Sequence, residues 1–203
     1  MIEIKIILGT IAAILALISS YLYIRDILRG NTKPHTYTWL IWAIVTTIAF
    51  FGQWVSGAGP GSWATGVSAI VTIFTLCLSL KGGYGTKDIT NFDTICFVLA
   101  ILSILPWALT NNILWSIILA TFIDLIAFFP TMRKTWHAPQ SESLGSMWVD
   151  AVKHSLSISS MGTYSFVNVI YPPAVLMTKF TINGEIIFLR KFSKKHKLTP
   201  LKY

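Results

Sequence analysis

The chain has 203 residues, of which 54% are hydrophobic and 12% charged, and its mean hydropathy is +0.65. Soluble domains carry roughly a quarter charged residues, so this composition excludes an ordinary soluble enzyme or binding domain and indicates a polytopic α-helical membrane protein. The formal charge of +8 implies no nucleic-acid partner, because no basic face with interleaved aromatics occurs and Lys/Arg instead cluster beside apolar segments.

Hydropathy and breakers predict helices over 6–24, 38–57, 62–80, 93–109, 112–132, 144–162 and 164–180. The first apolar run is too long for the h-region of a signal peptide, and no small-x-small cleavage site follows. It is expected to stay in place as a first span. In the second helix Trp39, Trp42, Thr46, Phe50 and Gln53 recur on one face, a spacing that fits either packing or a binding stripe. The stretch "GAGPG" before the third helix is a short flexible connection, and Cys77 and Cys96 match neither a metal spacing nor a disulfide framework. The fifth helix carries an acid, Asp124, and ends near Pro130.

The sixth stretch, "GSMWVDAVKHSLSISS", is the hard one, because Asp150, Lys153 and His154 depress its hydropathy. Two features place it in the membrane. With seven spans every Lys/Arg-bearing connection and the tail "RKFSKKHKLTPLKY" fall on one side, as the positive-inside rule requires. Fourteen Lys/Arg and five acids then lie on that side, Lys5 and Glu3 on the other, and one Lys with two Asp within the membrane. Secondly, "RGNTKPHTYTWLIWAIV" and "KTWHAPQSESLGSMWVDAV" share a basic helix end, a proline-containing loop, a Ser/Thr-rich start and a tryptophan, Trp42 or Trp148. Helices one to three therefore correspond to five to seven in a parallel repeat, with helix four as connector. The expected organisation is 1–85, 86–110, 111–183 and a basic cytoplasmic tail over 184–203, with the N-terminus outside the cell (inner) membrane. The tail suits anchoring near anionic lipid, and the apolar exterior leaves a homo-oligomer open.

On a 3.6-residue period Ser146, Asp150, Lys153/His154, Ser157 and Met161 share a stripe in the sixth helix, opposite Val149, Val152, Leu156 and Ile158. Ionisable groups at mid-membrane are costly and face the bundle interior. Asp124 and Asp150 fall at matching depth, about 10–12 Å from the basic side at 1.5 Å per residue. Two readings stand side by side: a buried ion pair of Lys153 with one acid, or a proton or substrate site. The two acids facing one lysine favour the second, with Asp124, Asp150, Lys153 and His154 as one titrating cluster. Trp42 and Trp148, with Gln53, Asn168 and Tyr171, are expected to frame a central cavity for a small polar or aromatic metabolite. Pro172-Pro173 marks a kink or hinge in the last helix. No nucleophile elbow, HExxH, CxxC pair or phosphate-binding loop is present, so an enzyme, a metal and a cofactor are not expected.

Three helices, a connector and three more in a parallel repeat resemble the PQ-loop and SWEET-type transporters, a plan shared with nicotinamide riboside transporters and KDEL receptors. Locally, "FFPTMRKTWHAPQSESLGSMW" looks like a PQ-loop segment, with Pro130-Thr131 at the Pro-Gln position and Ser141 and Glu142 in the polar run opening the next helix. "TKPH…TWLIW" is similar to small bacterial membrane proteins of that superfamily. The chain departs from the pattern in three ways. Thr131 replaces the glutamine, helix one ends "YLYIRD" without a proline, and Pro139-Gln140 lies downstream of the motif position. The resemblance implies a cavity between the triplets and alternating access by rocking one against the other. A receptor or non-transporting protein of the same plan is the alternative.

Overall fold

In the computed structural model, which describes residues 2–32, 34, 36–81, 91–102, 105, 109, 112–137, 139–141 and 144–196, no strand occurs among the described residues. The α-helices in order are α1 Ile2–Leu28, α2 Thr36–Val55, α3 Trp63–Lys81, α4 Asn91–Leu102, α5 Ile113–His137, α6 Leu144–Ser159 and α7 Phe166–His196. Short 3-10 turns lie at Gly59–Ser62 and Pro139–Ser141. Ile2–Leu28, Thr36–Val55 and Gly59–Lys81 are long and apolar enough to cross a membrane, and Ile113–Phe129 is a shorter apolar helix.

The distribution of side chains is inverted relative to a soluble fold. Ile14, Leu17, Ile70, Phe74, Phe122 and Phe180 are exposed, whereas Gln53, Ser62, Thr75, Ser116, Asn168 and Asn183 are buried. An apolar exterior this extensive is unfavourable in water and natural in hydrocarbon. In α1 the inward face is made of small residues, Gly9, Ala12, Ala16 and Ser19. Their three- or four-residue spacing puts them on one stripe and lets neighbouring backbones approach closely.

Neighbour relations follow a simple order. α3 packs on both α1 and α2, and α7 on both α5 and α6. α1 then meets α6, α2 meets α5, and α4 lies against α2 and α5. One apolar core joins Ile41, Val45, Ile48 and Ala49 of α2 to Ala120, Ile123 and Ala127 of α5 and to Tyr171 and Val175 of α7. A second joins Phe128 and Met147 to Ile182 and Ile186.

The end of α2 shows how sequence sets a boundary. Gly57 adopts φ 76°, which L side chains rarely tolerate. Its N–H donates to Trp54 O at 3.2 Å, and that of Ala58 to Gln53 O at 2.9 Å, closing a Schellman motif. At Gly61 a Cβ would lie 2.8 Å from the Met161 Cα, so this glycine permits contact with the α6–α7 connection.

Several boundaries differ from expectation. α7 runs through Pro172 and Pro173 to His196 rather than ending at 180, so most of the expected tail is helix; 197–203 lie outside the described residues. Helical propensity, rather than hydropathy, decides that length: Ile182 and Ile186 still bury an apolar stripe, and no proline intervenes. The "GGYGTKD" connection and Glu142 lie outside the described residues.

Candidate functional site

α6 presents the expected stripe. Ser146, Lys153, His154 and Ser157 are buried, whereas Val152 on the opposite face is exposed. The stripe is polar because the helix turns it away from the apolar exterior, where an ionised group would be costly. At its centre Asp150 accepts from two ammonium groups. Lys153 Nζ lies 2.6 Å from Oδ1, and Lys179 Nζ of α7 lies 3.0 Å from Oδ2. Ser19 Oγ of α1 donates to Oδ1 at 3.1 Å, and Lys153 also donates to Ser68 Oγ of α3 at 3.0 Å. The carboxylate thus ties α1, α6 and α7 directly and α3 through Lys153, and both of its oxygens are in use.

These groups line a cavity of about 100 Å³ inside the bundle. Its wall includes Tyr23, Trp39, Trp42, Phe128 and Tyr171 as aromatic surface. Ser19, Ser20, Thr46, Thr65, Ser68, Thr72, Thr75 and Ser146 supply hydroxyls. Asp124 and His154 complete the titratable set. Asp124 is 3% exposed and, among the described residues, makes no ion pair or hydrogen bond. The Lys179 ammonium also stands over two rings, 5.4 Å from the Trp42 centroid and 5.0 Å from that of Phe128, a cation–π arrangement. The Thr65 and Thr75 hydroxyls and the Trp42 Nε1 donor are buried without a hydrogen-bond partner among the described residues. Such groups are costly unless something in the cavity satisfies them.

One end of the bundle is closed where two connections meet. Ser157 Oγ donates to Gly61 O at 2.6 Å, and Gly162 N to Ala58 O at 2.8 Å. Thr163 Oγ1 donates to Ser56 O at 3.1 Å, and Asn168 Nδ2 donates to Ser56 O at 3.1 Å and Thr163 O at 3.0 Å.

The structure therefore gathers Trp42, Tyr171, Asp124, Asp150, Lys153 and His154 around one cavity. Three predicted residues lie elsewhere. Trp148 is 42% exposed and packs edge-on against Phe180 on the outer surface. A helix turns about 100° per residue, so Trp148 stands some 200° from Asp150, and Met147 takes the cavity position instead. Asn168 belongs to the closed end. Gln53 is fully buried away from the cavity, its amide without a partner among the described residues.

Sequence reasoning missed Lys179, which it counted on the basic side at the end of the seventh helix. With Lys179 in the wall, two lysines face two acids, and the expected excess of negative charge is absent. The signal was present: Tyr171, Val175 and Lys179 follow a four-residue spacing and all line the cavity.

No protein-family model, curated protein or solved structure matches this chain.

Proposed function

We propose that this protein is a seven-span membrane transporter of a small polar metabolite, built as two parallel three-helix repeats about a connector and working by alternating access. The observation that carries the reading is the cavity, with ionised, hydroxyl and aromatic groups inside an apolar-surfaced bundle. Intramembrane ionisable groups that face a cavity are expensive to bury and point to a substrate or ion path by default. The neighbour relations lend support, since exchanging α1, α2 and α3 with α5, α6 and α7 turns the α1–α6 contact into the α5–α2 contact. This plan is also that of the PQ-loop and SWEET-type resemblance. In this reading the basic connections face the cytoplasm of the cell (inner) membrane, and the joined α2–α3 and α6–α7 connections close the outer side.

Proton coupling is part of the proposal, and its carrier is Asp124 rather than Asp150. Asp150 has both oxygens engaged by cations, whereas Asp124 has no described partner. A second reading, a receptor or structural protein without flux, is favoured by that same saturated Asp150 network, which fixes four helices in one arrangement. A thermal-shift screen of metabolites, followed by uptake of the best hit into proteoliposomes, separates the two. Ligand-specific flux supports transport; stabilisation without flux supports the receptor.

A further inference from the structure

The charges of the cavity balance before any ligand arrives: Asp124 and Asp150 face Lys153 and Lys179. His154 is buried and is counted as a neutral imidazole. A ligand with net charge would leave that charge uncompensated in a low-dielectric surround. A net-neutral ligand avoids this.

Neutral ligands divide into uncharged polyols and zwitterions, and the bonding pattern separates them. Asp150 is fully used, by Lys153 and Ser19 on Oδ1 and by Lys179 on Oδ2. Asp124 lines the same cavity, almost completely buried, with no described ion pair or hydrogen bond, and the Lys179 ammonium attracts it only through space. Lys179 uses one N–H on Asp150, and an ammonium carries three. A polyol would leave Asp124 without a direct ion-pair partner. A zwitterion supplies one ammonium for Asp124 and one carboxylate for the spare Lys179 donors, and keeps the sum at zero. The faces of Trp42 and Phe128 already hold the Lys179 ammonium, which leaves Asp124 as the partner for the ligand's cation. Thr65 and Thr75, buried without partners, add hydroxyls that either half of the ligand can use.

We propose that the cavity binds a small net-neutral zwitterion, its ammonium on Asp124 and its carboxylate on Lys179, which Asp150 holds in place. The assignment rests on the reading of this cavity as a substrate site. Its size, about 100 Å³, suits a small ligand.

The test is calorimetric binding to the full chain in lipid nanodiscs. The probes are glycine, β-alanine and 4-aminobutanoate, which are zwitterions of increasing charge separation, with propionate, propylamine and glycerol as half-ligands and polyol. At least one zwitterion is expected to bind about tenfold or more tighter than all three controls. A smaller preference, or no zwitterion binding at millimolar concentration, overturns the proposal. In folded Asp124→Asn protein the best zwitterion should lose about tenfold in affinity while propionate is unchanged; equal loss of both overturns the assignment of Asp124. The comparison among probes on the unaltered chain stands even if that variant does not fold. Uptake into liposomes keeps the two readings apart. A zwitterion bound but not moved upholds the ligand class and overturns transport. Flux of another solute with no zwitterion binding overturns the ligand class alone.

Discussion

Lys179 and Asp150 meet at 3.0 Å across the α6–α7 interface, although the lysine sits where hydropathy predicts the last helix to end. With Lys153 at 2.6 Å from the other oxygen, Asp150 is a carboxylate shared between two ammonium groups. Two buried ammonium groups and the part-buried carboxylate between them are stable only as a set, because each alone would lack compensation.

Asp150→Asn therefore strands two lysines at once. The expected loss is about 3–5 kcal/mol, read as reduced thermal stability of the purified protein. Asp150→Asn/Lys153→Met should recover part of it, and adding Lys179→Met should recover most. Complete recovery in the double variant would show that Lys179 contributes nothing to the network.

Asp124→Asn should behave differently. No described ion pair or hydrogen bond is lost, so stability should change by less than about 1 kcal/mol. Uptake driven by a pH gradient should disappear, whereas ligand exchange, about tenfold weaker in affinity, persists at raised ligand concentration, since neutralising the carrier relieves coupling without blocking the cavity. Uptake that stays pH-driven in stable single variants of both Asp124 and Asp150 sinks the proton hypothesis.

The two tryptophans equated by the internal similarity should part company. Trp42→Ala removes cavity wall and a cation–π partner of Lys179, so ligand affinity should fall about tenfold or more. Trp148→Ala, on the outer surface against Phe180, should leave affinity unchanged. Equal effects would place the site elsewhere.

How much of this was legible in the sequence depends on which signal each element carries. The polar stripe of α6 was readable because 3.6-residue periodicity survives even where mean hydropathy is low, and Asp150, Lys153 and His154 all line the cavity. Trp148 was misplaced because matching two loops by composition leaves a one-residue uncertainty, and one residue is 100° of helix. Lys179 was missed because a lysine at the basic end of a span is ordinarily read as facing the water; only its spacing from Tyr171 and Val175 points inward. The length of α7 was invisible to hydropathy, which reports lipid contact rather than helix formation. Asn168 was correctly read as polar and interior, but its partners, Ser56 and Thr163, come from connections whose meeting no local pattern encodes.

Asn168→Ala should loosen the closed end. Removing Nδ2 leaves the Ser56 and Thr163 carbonyls short of a donor, at about 1–3 kcal/mol. A cysteine at Ser62, fully buried in this structure, should then react faster with a thiol reagent. An unchanged rate and unchanged melting would mean that Asn168 does not hold this end.

The most direct measurement concerns α6 itself, because the cavity is a transport site only if this polar helix crosses the membrane. Single cysteines at Gln140 and Tyr164, both exposed and flanking α6, are introduced without Cys77 and Cys96 and treated on intact cells with an impermeant thiol reagent. Tyr164→Cys should label from outside, and Gln140→Cys only after the membrane is opened. Labelling of both from the same side would contradict the span, and with it the placement of Asp150, Lys153 and His154 within the membrane.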